Sequence, residues 1–319
     1  MLRRILARVE LRRVGNSGLK VSAIGLGGNT FGGTVDGDEA VSVIRAALDQ
    51  GITFVDTADV YAYGRSEELV GQAIRGRRQE VILATKVGLP MDETPVHRGL
   101  SRRWIVHSLE QSLRRLGTDY VDLYQAHEPD PDTPIEETLR AFDDLVSQGK
   151  VRYVGCSNFR AWQMAQAAAL ADRHGWAPFV SAQNSWNILT GPDDPSLLEA
   201  CPALGLGVIP YRPLASGVLT GKYPAGQAPG AGTRLGDMPQ LRRRYTEAHF
   251  AAVDRLKAWA AERGHTTAEA AIAALLSYPQ VSTVIVGART VDQVRQNARA
   301  LEWRMPPEER DAAIAILAG

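Results

Sequence analysis

What most constrains the fold of this chain is a rhythm. Short apolar runs alternate with longer amphipathic stretches of helical spacing from residue 23 to the end, with one interruption. The runs begin near 23, 52, 81, 120, 151, 179, 206 and 281. Helical patterns at 38–50, 66–75, 102–116, 134–148, 160–173 and near 195–203 separate the first seven runs, and others follow at 244–262, 267–277, 290–301 and 306–317. Eight such βα units in 319 residues predict an α/β fold, a (β/α)₈ TIM barrel with extra C-terminal helices, with a doubly wound sheet as the alternative. Local signals agree. Ser101 stands where the 102–116 helix needs an N-cap and Gly117 where it must stop; Pro134, Glu136 and Glu137 open the next helix and Gly149 ends it. Ahead of the barrel, residues 10–22 alternate apolar positions around Gly15-Asn16-Ser17-Gly18 and read as a short N-terminal β-hairpin. No linker divides the chain, so 1–319 is expected to be a single domain, with 1–9 a flexible N-terminal extension. Residues 214–240 break the rhythm; rich in Gly and Pro and too long for an ordinary connection, they read as a functional loop.

Composition excludes several classes of function. Lys plus Arg (36) equals Asp plus Glu (36), so no net field draws the chain to nucleic acid or an anionic membrane, and any anionic ligand must be held by local donors. Two cysteines, Cys156 and Cys201, suggest neither a disulfide framework nor a thiolate metal site, and a cytoplasmic location is expected. No apolar run is long enough to cross a bilayer, and MLRRILARVE is too short in its apolar part for a signal peptide.

In a barrel of this kind functional groups gather at the carboxyl ends of the strands. Asp56 ends the second run, Lys86 the third and His127 the fourth, and Tyr61 follows Asp56 in the loop beyond. Singly, each has a structural reading: a turn cap, a solvated strand end, a packed core histidine, a ring packed on its loop. Together their chemistry is coherent. An ammonium beside a tyrosine favours the phenolate and is expected to lower the phenol pKa; a carboxylate keeps that lysine charged; an imidazole polarises a carbonyl oxygen or shares the proton. The set donates a proton to an oxygen gaining negative charge. It contains no evident nucleophile, no carboxylate pair at glycosidase spacing and no metal-ligand cluster, so a hydride source is needed for reduction.

Six segments in order, DTADVYAYGRSEELVG, ATK ending at Lys86, SLEQSLRRLGTDYVDLYQAH, GKVRYVGCSNF, YRPLASGVLTGKY and GARTVDQVRQN, resemble the aldo-keto reductases, NADPH-dependent oxidoreductases built on a (β/α)₈ barrel. The resemblance spans about Leu11 to Asn297. It implies that Tyr61 is the general acid, with Asp56, Lys86 and His127 as partners. It further implies that Ser157, Asn158 and Gln183 hold the nicotinamide carboxamide, that Tyr211 stacks on the nicotinamide, and that Pro213, Leu214, Ser216, Gly217 and Leu219 approach the pyrophosphate. By the same resemblance Gly28, Asn29 and Asp56 would be further cofactor contacts. Gly287, Arg289, Gln293 and Asn297 would hold the adenosine end, with Lys222 and Arg234 helping from the long loop. Arg289 suits a 2′-phosphate, so NADPH is expected over NADH.

GLGGNTFG is not a Rossmann fingerprint, because Thr30 takes the place of its last glycine. Arg212 and Trp186 depart from the family pattern, which more often has a small hydroxyl residue and a tyrosine there. Phe31, Tyr63, Met91, His97, Glu128, Trp186 and the 223–240 loop are expected to shape the pocket for a small-molecule carbonyl substrate. The competing readings are a nicotinamide-sensing regulatory subunit of low catalytic activity, and a lyase or hydrolase using Lys86 as a Schiff base. The last needs a neutral lysine, which Asp56 opposes.

Overall fold

The computed structural model describes residues 10–319, so the expectation for 1–9 lies outside the described residues. Leu11–Arg13 (β1) and Lys20–Ser22 (β2) pair antiparallel as the expected hairpin. Ile24–Gly27 (β3), Phe54–Asp56 (β4), Ile82–Val87 (β5), Val121–Ala126 (β6), Val151–Ser157 (β7) and Phe179–Gln183 (β8) then pair in parallel, each with the next. A small hairpin of Trp186–Asn187 (β9) and Gly191–Pro192 (β10), not anticipated from the sequence, precedes Gly207–Val208 (β11) and Val284–Gly287 (β12). The eight parallel strands run β11-β8-β7-β6-β5-β4-β3-β12. Bonds from Val208 N to Gln280 O, Ser282 N to Val208 O and Ile285 N to Pro210 O, each 2.9 Å, tie the two edges together and close the barrel.

The seventh barrel strand is shorter than the 206–211 expected. Pro210 has no N–H to give, yet the chain still holds its course, with Ile209 N bonded to Ala182 O and Tyr211 N to Asn184 O. The helices follow the predicted boundaries within one to three residues. Ser101 caps its helix by accepting from Trp104 N, and Gly117 ends it in the left-handed region at φ 63°. The 214–240 segment is less irregular than its composition suggests: a 3₁₀ turn covers Ala215–Thr220, and two single-turn helices form at Arg234–Asp237 and Pro239–Arg242.

Side chains alternate along each strand, and that period divides the barrel interior into two layers. Phe54, Ala84, Leu123, Ile209 and Ile285 make the lower layer, packed with Val14, Leu19 and Val21 of the hairpin, which plugs the amino-terminal end. Two residues further along the same strands, on the same face, come Asp56, Lys86, Gln125 and Tyr211. Gly25 leaves room for the lower layer, since a Cβ there would sit 2.6 Å from Phe54 Cδ1. The apolar plug and the polar layer above it are thus one sequence pattern read two residues apart.

Candidate active site

Lys86 is the hub of the polar layer. Its side chain is fully buried and Nζ donates to Asp56 Oδ2 at 2.6 Å, to the Thr57 carbonyl at 2.9 Å and to the Tyr61 hydroxyl at 3.4 Å. The other carboxylate oxygen of Asp56 accepts from Gln125 Nε2 at 3.1 Å and Gln183 Nε2 at 2.9 Å. Burial alone would lower the lysine pKa; the Asp56 carboxylate and the Tyr61 hydroxyl reverse this and hold it above its ordinary value. Lys86 is therefore charged at neutral pH, which leaves it unsuited to Schiff-base chemistry.

Tyr61 differs from expectation. Burial raises the phenol pKa, and although Lys86 pulls it down, the Asp56 carboxylate also raises it, so the hydroxyl stays above its ordinary value. The buried cation is matched by a buried anion, and desolvation decides the sign. At neutral pH Tyr61 holds its proton. The His127 ring lies edge-on to Tyr61 with centroids 5.7 Å apart. Burial and the nearby Lys86 charge push its pKa down to about 3, so the imidazole is neutral and can give a hydrogen bond without carrying charge. Its buried Nδ1 has no hydrogen-bond partner among the described residues.

The loop that carries Tyr61 is held from behind. Asp59 is fully buried and accepts from Val60 N at 2.7 Å and the Ser108 hydroxyl at 3.1 Å. Glu67, equally buried, accepts from the Thr85 hydroxyl at 2.5 Å and Arg115 Nε at 2.7 Å. Between them the loop turns through Ala62 and Tyr63, both at positive φ (48° and 54°), a conformation that persists only where surroundings enforce it. Burial, then the charge of Glu67, pushes the Asp59 carboxyl up to about 7. Between its ordinary range and pH 7 the folded chain keeps a proton that the unfolded chain has released, so stability falls as pH rises through that window. Asp59→Asn removes this slope while keeping an acceptor for Val60 N. Urea unfolding at pH 5 and pH 8 should show the wild type losing roughly 2–3 kcal/mol relative to the variant. Equal slopes for the two proteins would refute the assignment.

A second group of predicted positions extends from this hub. Asn158, at φ 61°, donates from Nδ2 to the His127 carbonyl at 2.8 Å and to Ser157 Oγ at 3.2 Å, and accepts at Oδ1 from the Tyr211 hydroxyl at 2.7 Å. Gln183 and Ser157 are buried beside it, and Gln183 reaches the hub directly through Asp56. Gly28 packs where a Cβ would come 2.9 Å from Ser66 Oγ, and its N–H donates to the Asp56 carbonyl. Farther out, Ala215, Ser216 and Gly217 are all at positive φ (48°, 58° and 96°), a backbone concavity of the kind that receives anions. Pro213 and Leu219 are buried beneath it and Leu214 is half-buried. Arg289 N donates to Gln293 Oε1 at 2.7 Å and Asn297 Nδ2 to the Gly287 carbonyl, while Asn29 and Lys222 are exposed.

Burial lowers the Arg234 pKa, and the positive charges of Arg289 and Arg212 lower it further. Neither Arg234 nor Arg289 makes an ion pair among the described residues. Cations crowded without a carboxylate suit a ligand bearing phosphates. The donor set therefore fits a phosphate-bearing ligand, with amide and hydroxyl groups near Tyr61 and guanidinium groups at Arg234 and Arg289.

Gln125 was not foreseen, though its place two residues after inward-facing Leu123 marks it for the polar layer. The expected pocket residues divide. Tyr63 and Glu128 are exposed on this face, whereas Phe31 is fully buried in the core, Trp186 packs on Tyr278 with centroids 4.7 Å apart, and His97 pairs with Asp92. A cavity of about 900 Å³ opens under the hairpin at the opposite end among Arg12, Gly15, Gln280 and Trp303. It contains none of the converging titratable groups, and chemistry, not volume, locates the site. Among the described residues there is no cluster able to hold a metal ion and no helix long and apolar enough to cross a membrane.

Comparison with known proteins agrees with this geometry. The family model described as "Aldo/keto reductase family" matches residues 23–317. A protein of Oryza sativa named a probable voltage-gated potassium channel subunit beta is 38% identical, covering 97% of each chain. The versiconal hemiacetal acetate reductase of Aspergillus parasiticus is 33% identical over 94% of this chain and 95% of its own. The aldo-keto reductase YhdN of Bacillus subtilis is 35% identical over 97% of this chain and 94% of its own. With the barrel, the polar layer and these matches together, the chain belongs to the aldo/keto reductase family of oxidoreductases.

Proposed function

We propose that the protein reduces aldehydes or ketones to alcohols, reversibly, with NADPH in preference to NADH. The observation that carries this reading is the contact of one buried, charged lysine with both the Asp56 carboxylate and the Tyr61 hydroxyl, beside a neutral His127. The nicotinamide, when bound, supplies a hydride to the carbonyl carbon. Tyr61 holds a proton at its hydroxyl and gives it to the carbonyl oxygen. Lys86 stabilises the phenolate that remains, and Asp56, held by Gln125 and Gln183, keeps Lys86 aimed. His127 gives a hydrogen bond to the same oxygen and, being neutral, does not compete as an acid. Ser157, Asn158 and Gln183 would orient the carboxamide and Tyr211 would cover the ring face. The turn from Pro213 to Leu219 would receive the pyrophosphate, with Gly28, Asn29, Lys222 and Arg234 around it. Gly287, Arg289, Gln293 and Asn297 would take the adenosine end.

NADPH and NADH consumption with 4-nitrobenzaldehyde tests the reading. NADPH should be preferred, and Arg289→Leu should weaken NADPH binding by about 10- to 100-fold with little change for NADH, because only the former loses a charge-assisted bond. Equal loss for both would remove the 2′-phosphate role. A second reading is supported by the potassium-channel subunit name of the rice relative: nicotinamide sensing by a subunit of low activity. Tight NADPH binding with negligible turnover of every carbonyl tried would favour it.

A further inference from the structure

A closed loop stands beside His127 that the proposed reduction leaves unused. The chain leaves β5 at Gly88, just past Lys86, and returns at Gly99, whose N–H donates to the Gly88 carbonyl at 2.7 Å. Both glycines are at positive φ, 133° and 82°. Between them the loop bonds to itself: Met91 N to His97 O at 3.1 Å, His97 N to Thr94 O at 2.9 Å and Thr94 N to Asp92 Oδ1 at 2.7 Å. The His97 ring then stacks on Trp104 with centroids 5.0 Å apart. A surface loop with joined ends and internal bonds is compact, and its placement is decided at its neck.

That neck sits against the strand end of His127. His127 N donates to the Val87 carbonyl at 2.8 Å, and a Cβ on Gly88 would lie 3.8 Å from His127 N. Asp130, shortly beyond His127, reaches across to the returning limb. Its Oδ2 accepts from Leu100 N at 2.7 Å and from the Thr133 hydroxyl at 2.7 Å, while Oδ1 accepts from Asp132 N at 3.0 Å. Leu100 is buried and its carbonyl accepts from the Thr138 hydroxyl at 3.0 Å, so both its backbone groups are held. Gly99 leaves room for the carboxylate, since a Cβ there would come 2.5 Å from Asp130 Oδ2. Partial burial raises the Asp130 pKa, but the bonds from Leu100, Thr133 and Asp132 outweigh it and hold the carboxyl below its ordinary value. It therefore accepts as a carboxylate at neutral pH, where such bonds are strongest.

We propose that Asp130 is a positioning residue for the carbonyl substrate. It locks the 88–99 loop to the strand end that carries His127, so that the limb from Leu89 to Met91, continuing the strand of Lys86 at the barrel mouth, is a fixed wall for the part of the substrate beyond its carbonyl. This rests on the reductase reading above and deepens it by assigning what fixes the wall of that same site. With Asp130 removed, the neck keeps only the bond from Gly99 to Gly88, and the wall is in place in a fraction of the molecules. KM then rises by the inverse of that fraction, whereas the groups at Tyr61 and Lys86 are unchanged and kcat holds.

The test is steady-state reduction of 4-nitrobenzaldehyde and of propanal with NADPH by wild type, Asp130→Ala, Asp130→Asn and Gly99→Ala. Asp130→Ala should raise KM for 4-nitrobenzaldehyde by about 10- to 100-fold with kcat within about three-fold of wild type. Propanal carries no group that reaches the wall, so its KM should change by less than about three-fold. Asp130→Asn keeps an oxygen acceptor without the charge and should fall between wild type and alanine. Gly99→Ala forces the same neck from the other side and should reproduce the dependence on aldehyde size. The double variant Gly99→Ala/Asp130→Ala should be little worse than Asp130→Ala, because the second change acts on a neck already open. The Kd for NADPH should stay near wild type. Equal losses for the two aldehydes, a loss carried by kcat, or additive losses in the double variant would overturn the proposal by making Asp130 a support of the fold alone. If wild type turns over and the variants leave KM unchanged, only this proposal fails. If wild type reduces neither aldehyde with NADPH, the reductase reading fails with it.

Discussion

Tyr61→Phe is expected to lower kcat for 4-nitrobenzaldehyde by roughly 10²- to 10⁴-fold while leaving the Kd for NADPH near wild type. The change removes one hydroxyl and no packing. That hydroxyl, the proposed proton donor, lies within hydrogen-bond reach of Lys86, at 3.4 Å, and burial ensures that it carries its proton at neutral pH. His127 cannot take over as an acid, since its pKa is pushed down to about 3. A variant with near-wild-type turnover would show that the proton comes from elsewhere, from water or from another side chain. Fluorescence titration with NADPH, run alongside steady-state kinetics, separates loss of chemistry from loss of binding.

Lys86→Met should damage both activity and stability. Asp56 is buried and among the described residues its carboxylate is balanced only by Lys86; the two amides from Gln125 and Gln183 hold it without neutralising it. Removing one partner of a buried ion pair leaves an uncompensated charge, at a cost of roughly 3–5 kcal/mol. The double variant Lys86→Met/Asp56→Asn removes the orphaned charge as well. Its stability in urea should return most of the way to wild type while its activity stays lost, since no cation remains to stabilise the Tyr61 phenolate. Recovery of activity along with stability would mean that Lys86 serves folding alone. The converse, a single variant that is inactive yet as stable as wild type, would mean that the pair contributes no net stability and acts only on Tyr61.

These expectations depend on a layer of the barrel that the sequence exposes unevenly. The eight strand starts, the N-terminal hairpin and most helix ends were legible because apolar periodicity, Ser101, Gly117 and Gly149 are local signals with local causes. Asp56, Lys86 and His127 stood out because each directly follows an apolar run, and Tyr61 because it follows Asp56 in the same stretch. Gln125 carries no charge and sits before the strand ends, so only the alternation with Leu123 could reveal it. Asp59 and Glu67 look in sequence like ordinary loop and helix carboxylates; that both are buried, with one arginine between helix and barrel, depends on how α-helical and β-layers meet. The Tyr61 pKa went the other way from expectation for a related reason. Adjacency to Lys86 can be inferred from a shared barrel rim, but the balance between a buried cation, its buried anion and desolvation requires the three-dimensional site. Trp186 and Phe31 were placed in the pocket by sequence position, whereas packing takes both into the core.

The most direct measurement is where the hydrogen goes. With NADPH carrying deuterium on the transferring face of the nicotinamide C4 and 4-nitrobenzaldehyde as acceptor, the account predicts 4-nitrobenzyl alcohol with a single deuterium on its carbinol carbon, formed by wild type and nearly abolished in Tyr61→Phe. Alcohol formed without deuterium from either face of the nicotinamide, or labelled alcohol formed equally fast by the phenylalanine variant, would contradict it.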